Sequence, residues 1–255
     1  MKNKLKVLGL SSILFLGVAC SNSKYVLSGI SRQRILIDST YDVNQDTAAL
    51  HFLAPYTHVV DSLMNPVIGY SAKYMANHRP ESEISDLFSD ILLWGSSSFN
   101  EHPDFAVYNM GGIRGAFPKG PITKGDVLNA APFENKICFL TLKGSDVLDL
   151  FRQMASRGGE GVSKGVNLVI SKDGKLLDAK VHGQPVDPNA SYRVATLDYV
   201  AQGNDDMVAF QKGTDVLSPQ ETKNDVRFII ESYFEQQKAK GTPVNPQIEG
   251  RIVVK

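Results

Sequence analysis

The chain has 255 residues, enough for one domain or two and for a sizeable core. Hydrophobic residues are 42% and charged residues 21%, a globular composition that excludes a disordered chain. Lys+Arg and Asp+Glu both number 27, so no basic excess points to nucleic acid or to an anionic membrane surface as a partner.

The N-terminus reads as a secretory signal. Lys2, Lys4 and Lys6 form a basic stretch, and residues 7–19 are apolar but too short for a stable membrane span. Cys20, directly after Leu16-Gly17-Val18-Ala19, suggests a bacterial lipoprotein in which Cys20 carries the lipid, although the usual leucine sits one place nearer the cysteine. The alternative is a plain secretion signal. The expected divisions are a signal peptide over 1–19, a lipidated tether over 20–31 and one domain over 32–255. The expected address is the cell envelope, periplasm or outer membrane, reached across the inner membrane. Removal of residues 1–19 takes three lysines from the 27 basic residues and leaves a net charge of −3.

Residues 34–38 read as a short strand. Asp46 or Thr47 caps a helix to about Met64, with Leu50, Leu53, Val60 and Leu63 on the inward face and Pro55 as a kink or break. Residues 67–72 read as a strand and 81–94 as a helix with Ile84, Leu87, Phe88, Ile91 and Leu92 inward. Strands follow at 105–108 and 136–142, and a helix at 145–156. Residues 167–170 are a strand before an Asp173-Gly174 turn, and 181–186 form a further hairpin. Residues 192–196 are a buried strand. A last helix covers about 222–238, with Val226, Ile229, Ile230, Tyr233 and Phe234 inward, and residues 248–254 close as a strand. This alternation predicts an α/β or α+β layered fold. Cys138 falls within the strand at 136–142 and reads as an inert core thiol.

The five histidines, His51, His58, His78, His102 and His182, form no metal-ligand pair. No nucleophile elbow or phosphate-binding loop is present. What remains is a set of unusual loops. Asn109-Met110-Gly111-Gly112-Ile113-Arg114 follows a buried strand. Its paired glycines allow a sharp turn and close approach of backbone to a ligand, and Arg114 offers a fork of donors. Pro132-Phe133-Glu134-Asn135 sets an aromatic before an amide, ahead of another strand. The segment from Asp198 to Asp205 carries Tyr199 and an acid on one loop. Each also has an ordinary reading: the glycines as a plain turn, Phe133 as core.

These segments, with Gly120 to Asp126 and Leu142-Lys143-Gly144, agree in order and spacing with one family. From about residue 46 to 234 the chain resembles the C-terminal domain of the 5′-nucleotidases. The resemblance implies a layered α/β domain that recognises a nucleotide or nucleoside. It implies a base held between Phe133 and Tyr199. Asn109 and Arg114 then contact base, ribose or phosphate, Gly111 and Gly112 line the site, Asn135 adds a polar contact, and Asp205 holds ribose hydroxyls. Three departures stand out. Gly203-Asn204-Asp205-Asp206 replaces the family's Gly-Gly-Asp-Gly, with Asn204 expected to take the left-handed backbone and Asp206 adding charge against a phosphate. Ser85-Asp86 stands where the family carries Gly-Asn. Arg79 is the nearest candidate for a family arginine near His78.

Complete family members also carry an N-terminal metallophosphatase domain with a two-metal site. Few mature residues precede the matched region here. The resemblance therefore implies the family's recognition without its catalysis. It implies no catalytic residue, metal or cofactor in this chain, with divalent metals in a separate metallophosphatase chain. The alternative is a stand-alone nucleoside-binding lipoprotein.

Overall fold

The computed structural model describes residues 27–36, 38–43 and 45–255. The expected signal peptide, Cys20 and the start of the tether lie outside the described residues. The chain divides into two units, Met1–Phe52 and Leu53–Lys255.

In the first unit, residues 27–36 are exposed and carry no regular structure. The strand expected over 34–38 is not formed; Ile37 itself lies outside the described residues. The local chemistry favours a turn: the Asp38 carboxylate accepts from Thr40 N at 3.0 Å and Thr40 Oγ1 at 2.6 Å, and a 3-10 helix follows at Ser39–Val43.

Helix α1 is Thr47–Met64. Asp46 caps it, accepting from Ala48 N at 2.9 Å and Ala49 N at 3.1 Å. The helix reaches Met64 as expected and Pro55 does not break it; the expected inward face fails, because none of its residues is buried. Because no residue of the helix is buried, water can serve the carbonyl that Pro55 leaves without its donor.

The second unit continues with β1 (Val67–Ser71), α2 (Glu83–Ser96), β2 (Phe105–Tyr108), β3 (Gly120–Thr123), α3 (Lys124–Ala130), β4 (Ile137–Lys143) and α4 (Gly144–Ser156). Next come β5 (Gly161–Val162), β6 (Val166–Ile170), β7 (Leu176–Val181), β8 (Gln184–Pro185) and β9 (Ser191–Leu197). The unit closes with α5 (Asp198–Ala201), β10 (Thr214–Leu217), α6 (Val226–Ala239) and β11 (Ile252–Val254). The central sheet has the order β10-β4-β9-β2-β5; a second sheet has the order β11-β6-β7-β8, and β1 pairs with β3. In the central sheet β9 runs parallel to β2 and antiparallel to β4. Helix α2 packs on β2 and β5, α4 touches both larger sheets through β4 and β7, and α6 covers β1. This is the layered α/β architecture that the sequence predicts.

The expected inward residues of α2 are all buried, and Ser82 with Ser85 forms its capping box. Phe88 meets Tyr108 edge-on at 5.1 Å and Phe117 at 5.9 Å, and Phe117 meets Phe234 at 5.2 Å. Fully burying one such ring stabilises by about 1.5–3 kcal/mol. Helix α6 starts at Val226, four residues later than expected, because Thr222–Asn224 forms a 3-10 turn first. Its Val226, Ile229, Ile230 and Phe234 are buried and Tyr233 is partly so. Cys138 is buried in β4, and burial pushes its thiol up to about 11, which leaves it inert as expected.

Asp86 lies inside α2 at 1% exposure. Burial pushes its carboxyl up to about 9, and Glu81 and Asp90 add to the rise. Arg251 opposes it from 3.5 Å, but that guanidinium also serves Asp90 and Glu249, so desolvation prevails. At neutral pH Asp86 is therefore a neutral acid, close in shape and charge to the asparagine of the resembled family. The folded state holds this proton more tightly than the unfolded chain. That stabilisation is complete below the ordinary carboxylate value and is lost as pH rises through about 9. The unfolding free energy of the wild type from urea titration should fall from pH 5 to pH 9 relative to Asp86→Asn, by up to about 1.4 kcal/mol per pH unit. Parallel pH profiles would show that Asp86 is ionised in the fold.

Candidate nucleoside site

Three loops meet at one end of the central sheet, and strand pairing places them there. Ile137, the first residue of β4, is paired with Leu197, the last of β9. Phe133, just before β4, and Tyr199, just after β9, must therefore emerge side by side. Because β2 runs parallel to β9, its C-terminal end delivers Asn109 to the same edge. Asp198 ties two of the loops together, its carboxylate accepting from Lys136 N at 3.0 Å and Tyr199 N at 2.8 Å.

All eight residues singled out in the sequence, Asn109, Gly111, Gly112, Arg114, Phe133, Asn135, Tyr199 and Asp205, line one cavity of about 320 Å³. Phe133 is 47% exposed and Tyr199 39%, so neither ring is core. Arg114 donates to Gly111 O at 3.3 Å, with its guanidinium 6.0 Å from the Phe133 ring centre.

Asn109 is buried. Its Nδ2 donates to Asp205 Oδ2 at 2.6 Å, while its Oδ1 has no hydrogen-bond partner. A buried acceptor on a cavity wall is suited to a donor brought by a ligand. The glycine pair lies in a tight 3-10 turn, Met110–Gly112, and packing supplies a further reason for it. Neither Gly111 nor Gly112 adopts a positive φ. A Cβ on Gly112 would instead sit 2.8 Å from Asn109 Oδ1, and one on Gly111 would sit 3.3 Å from Asp205 Oδ2. The glycines make room for the Asn109–Asp205 pair.

The Asn204 expectation is corrected as well. Asp205 and Asp206 take the left-handed backbone, at φ 55 and 57, and Asn204 does not. The Asn204 amide donates to Tyr199 O at 2.7 Å and so secures the short helix that carries Tyr199. Two strained non-glycine residues in a row on a cavity wall fit a site whose shape is held by its surroundings. The Tyr199 hydroxyl lies 3.5 Å from Asp205 Oδ1, and that carboxylate holds the phenol above its ordinary value.

Sequence reading missed the support behind this wall. Glu160, fully buried, accepts from Arg79 Nη2 at 2.6 Å, Arg157 Nε at 2.8 Å and Met110 N at 2.6 Å. Arg157 also reaches Asp206 at 2.8 Å and lies 4.0 Å from Asp205. One carboxylate thus fixes the Asn109 loop directly and the Asp205 loop through Arg157. The signal was Arg157-Gly158-Gly159-Glu160, a charged pair around two glycines, both with positive φ. Asn77 Nδ2 holds Met110 O from the other side at 2.8 Å.

A larger opening of about 490 Å³ lies elsewhere, lined in part by Trp94, Phe99, Pro219 and Phe228. It takes none of the eight residues, and none of the described residues with a buried unpartnered polar atom is among those lining it. Among the described residues no group of three His, Cys, Asp or Glu side chains could hold a metal ion, and no helix is long and apolar enough to cross a membrane.

The profile of the family "5'-nucleotidase, C-terminal domain" matches residues 65–212, over half of the chain and all eight cavity residues. The chain belongs to this 5′-nucleotidase C-terminal domain family. Protein UshA of Escherichia coli (strain K12) is 30% identical over 176 residues, covering 68% of this chain and 32% of that protein. A 5'-nucleotidase of Vibrio vulnificus (strain CMCP6) is 28% identical over 177 residues, again 68% of this chain and 32% of the other. The chain thus spans about a third of the length of these curated relatives. Among solved structures, a 5'-nucleotidase precursor from Thermus thermophilus superposes with a TM-score of 0.72 at 26% identity, over 82% of this chain and 43% of that one.

Proposed function

We propose that this 5′-nucleotidase C-terminal domain recognises the nucleoside part of a nucleotide and that a separate metallophosphatase chain supplies the hydrolysis. The convergence of two half-exposed aromatic rings, an unpartnered buried amide oxygen, a guanidinium and a carboxylate on one cavity carries this reading. Flat rings suit a base, and stacking on them tolerates any base because every base has a π-face. Asp205 accepts hydroxyl protons from a ribose. Asn109 Oδ1 takes one further donor from the base or sugar. Divalent metals, held in the partner, activate water and clamp the phosphoryl oxygens. Binding energy from the remote base then positions the phosphate at those metals and raises turnover.

Assays of this chain, of a catalytic chain from the same genome and of their mixture, each with divalent metal, test the reading. Near-background rates are expected for this chain alone, and the mixture should exceed the sum of the two. Tyr199→Ala in the mixture should remove most of that excess. A merely additive mixture across several candidate partners would leave a stand-alone binding lipoprotein.

The proposed address is the cell envelope, through lipid on Cys20 after secretion. Several acyl chains anchor firmly where one holds only marginally. Cys20→Ser should move the protein out of the membrane fraction. A wild-type protein that is already soluble after secretion would point to simple signal cleavage.

A further inference from the structure

The charges around the cleft are already balanced. Arg114 is the one basic side chain that lines it, and Asp205 is the one acidic side chain. Two further arginines stand behind the wall. Arg79 is bound to Glu160 at 2.6 Å. Arg157 is bound to Glu160 at 2.8 Å and to Asp206 at 2.8 Å, with Asp205 at 4.0 Å. The cluster sets three guanidinium groups, Arg79, Arg114 and Arg157, against three carboxylates, Glu160, Asp205 and Asp206. A 5′-monophosphate brings a charge of about −1.5 to −2 at neutral pH. It would meet one guanidinium on the wall, with Asp205 beside it and Asp206 one residue further. Freeing Arg79 or Arg157 for a phosphate would strip the buried Glu160 of its counter-charge, which is costly. The stacking rings, the orphan Asn109 oxygen and Asp205, by contrast, all suit uncharged groups.

We infer that this cleft selects the uncharged nucleoside over its 5′-phosphate, so that any hold on the phosphate has to come from a metal-bearing chain. The inference rests on the reading of the cleft as a nucleoside site. It names the ligand class: a neutral aromatic base on a sugar with free hydroxyls.

Titration calorimetry of the purified chain with adenosine, AMP, uridine and UMP tests it. At low salt each nucleoside should bind at least about ten-fold more tightly than its monophosphate. The gap should shrink at high salt, because the local repulsion between the phosphate and the Asp205 and Asp206 carboxylates is then screened. Asp206→Asn, which removes one negative charge and keeps a residue tolerant of the left-handed backbone, should narrow the gap by strengthening the monophosphates alone. A monophosphate that binds as tightly as its nucleoside, or more tightly, overturns the inference and leaves the recognition reading standing. If none of the four binds, the recognition reading fails and this inference with it.

Discussion

Glu160→Ala is expected to destabilise the protein by about 3 kcal/mol, the lower end of the range for breaking a buried ion pair. The side chain is fully buried and holds three donors at 2.6–2.8 Å. Its removal takes this acceptor from Arg79 Nη2, Arg157 Nε and the Met110 N–H, while Arg157 keeps Asp206 at 2.8 Å. Arg79 and Arg157 keep side-chain exposures of 33% and 24%, so water recovers part of the loss, and the upper end of the range is not reached. For a unit of this size the shift in melting temperature should be about 6–12 °C. Glu160→Gln keeps a carbonyl acceptor for one donor and should cost less. A loss below about 1 kcal/mol for the alanine variant would mean that the loops are held by other contacts.

Tyr199→Ala is expected to weaken nucleoside binding by about 1–3 kcal/mol, the usual range for a base stacked on an aromatic ring. That is about five- to 150-fold in Kd. Fold stability should change little, because the ring is 39% exposed and is not part of the core. Tyr199→Phe separates the ring from its hydroxyl. The hydroxyl contact to Asp205 is long, at 3.5 Å, so the phenylalanine variant should stay within about two-fold of wild type. A phenylalanine variant as weak as the alanine variant would place the hydroxyl, and not the face of the ring, at the centre of recognition.

The sequence makes most of this site legible because its parts are local signals. A glycine pair after a buried strand, an aromatic before an amide and an aromatic before an acid each stand out alone. Strand pairing then brings the three together. Helix α2 is readable for the same reason, since its apolar spacing matches the face it buries. The failures share another cause. The described residues 34–36 of the apolar run before Asp38 are strand-like in sequence but carry no regular structure. The apolar face of α1 reads as inward, yet the fold buries none of it. Strand β10 escapes notice because it is a short edge strand, exposed at every position, with Asp215 at a positive φ. The Glu160 cluster joins segments 81 and 50 residues apart in the chain, and no spacing rule announces a carboxylate that answers a distant arginine. Asn204 looks like a glycine substitute and proves to be a cap on Tyr199.

The most direct test of the recognition claim is a crystal structure of the chain with bound adenosine. The base should lie between Phe133 and Tyr199, with ribose hydroxyls on Asp205 and a ligand donor on Asn109 Oδ1. A nucleoside seated instead in the opening beside Trp94 and Phe99, with Tyr199 and Asp205 untouched, would contradict it.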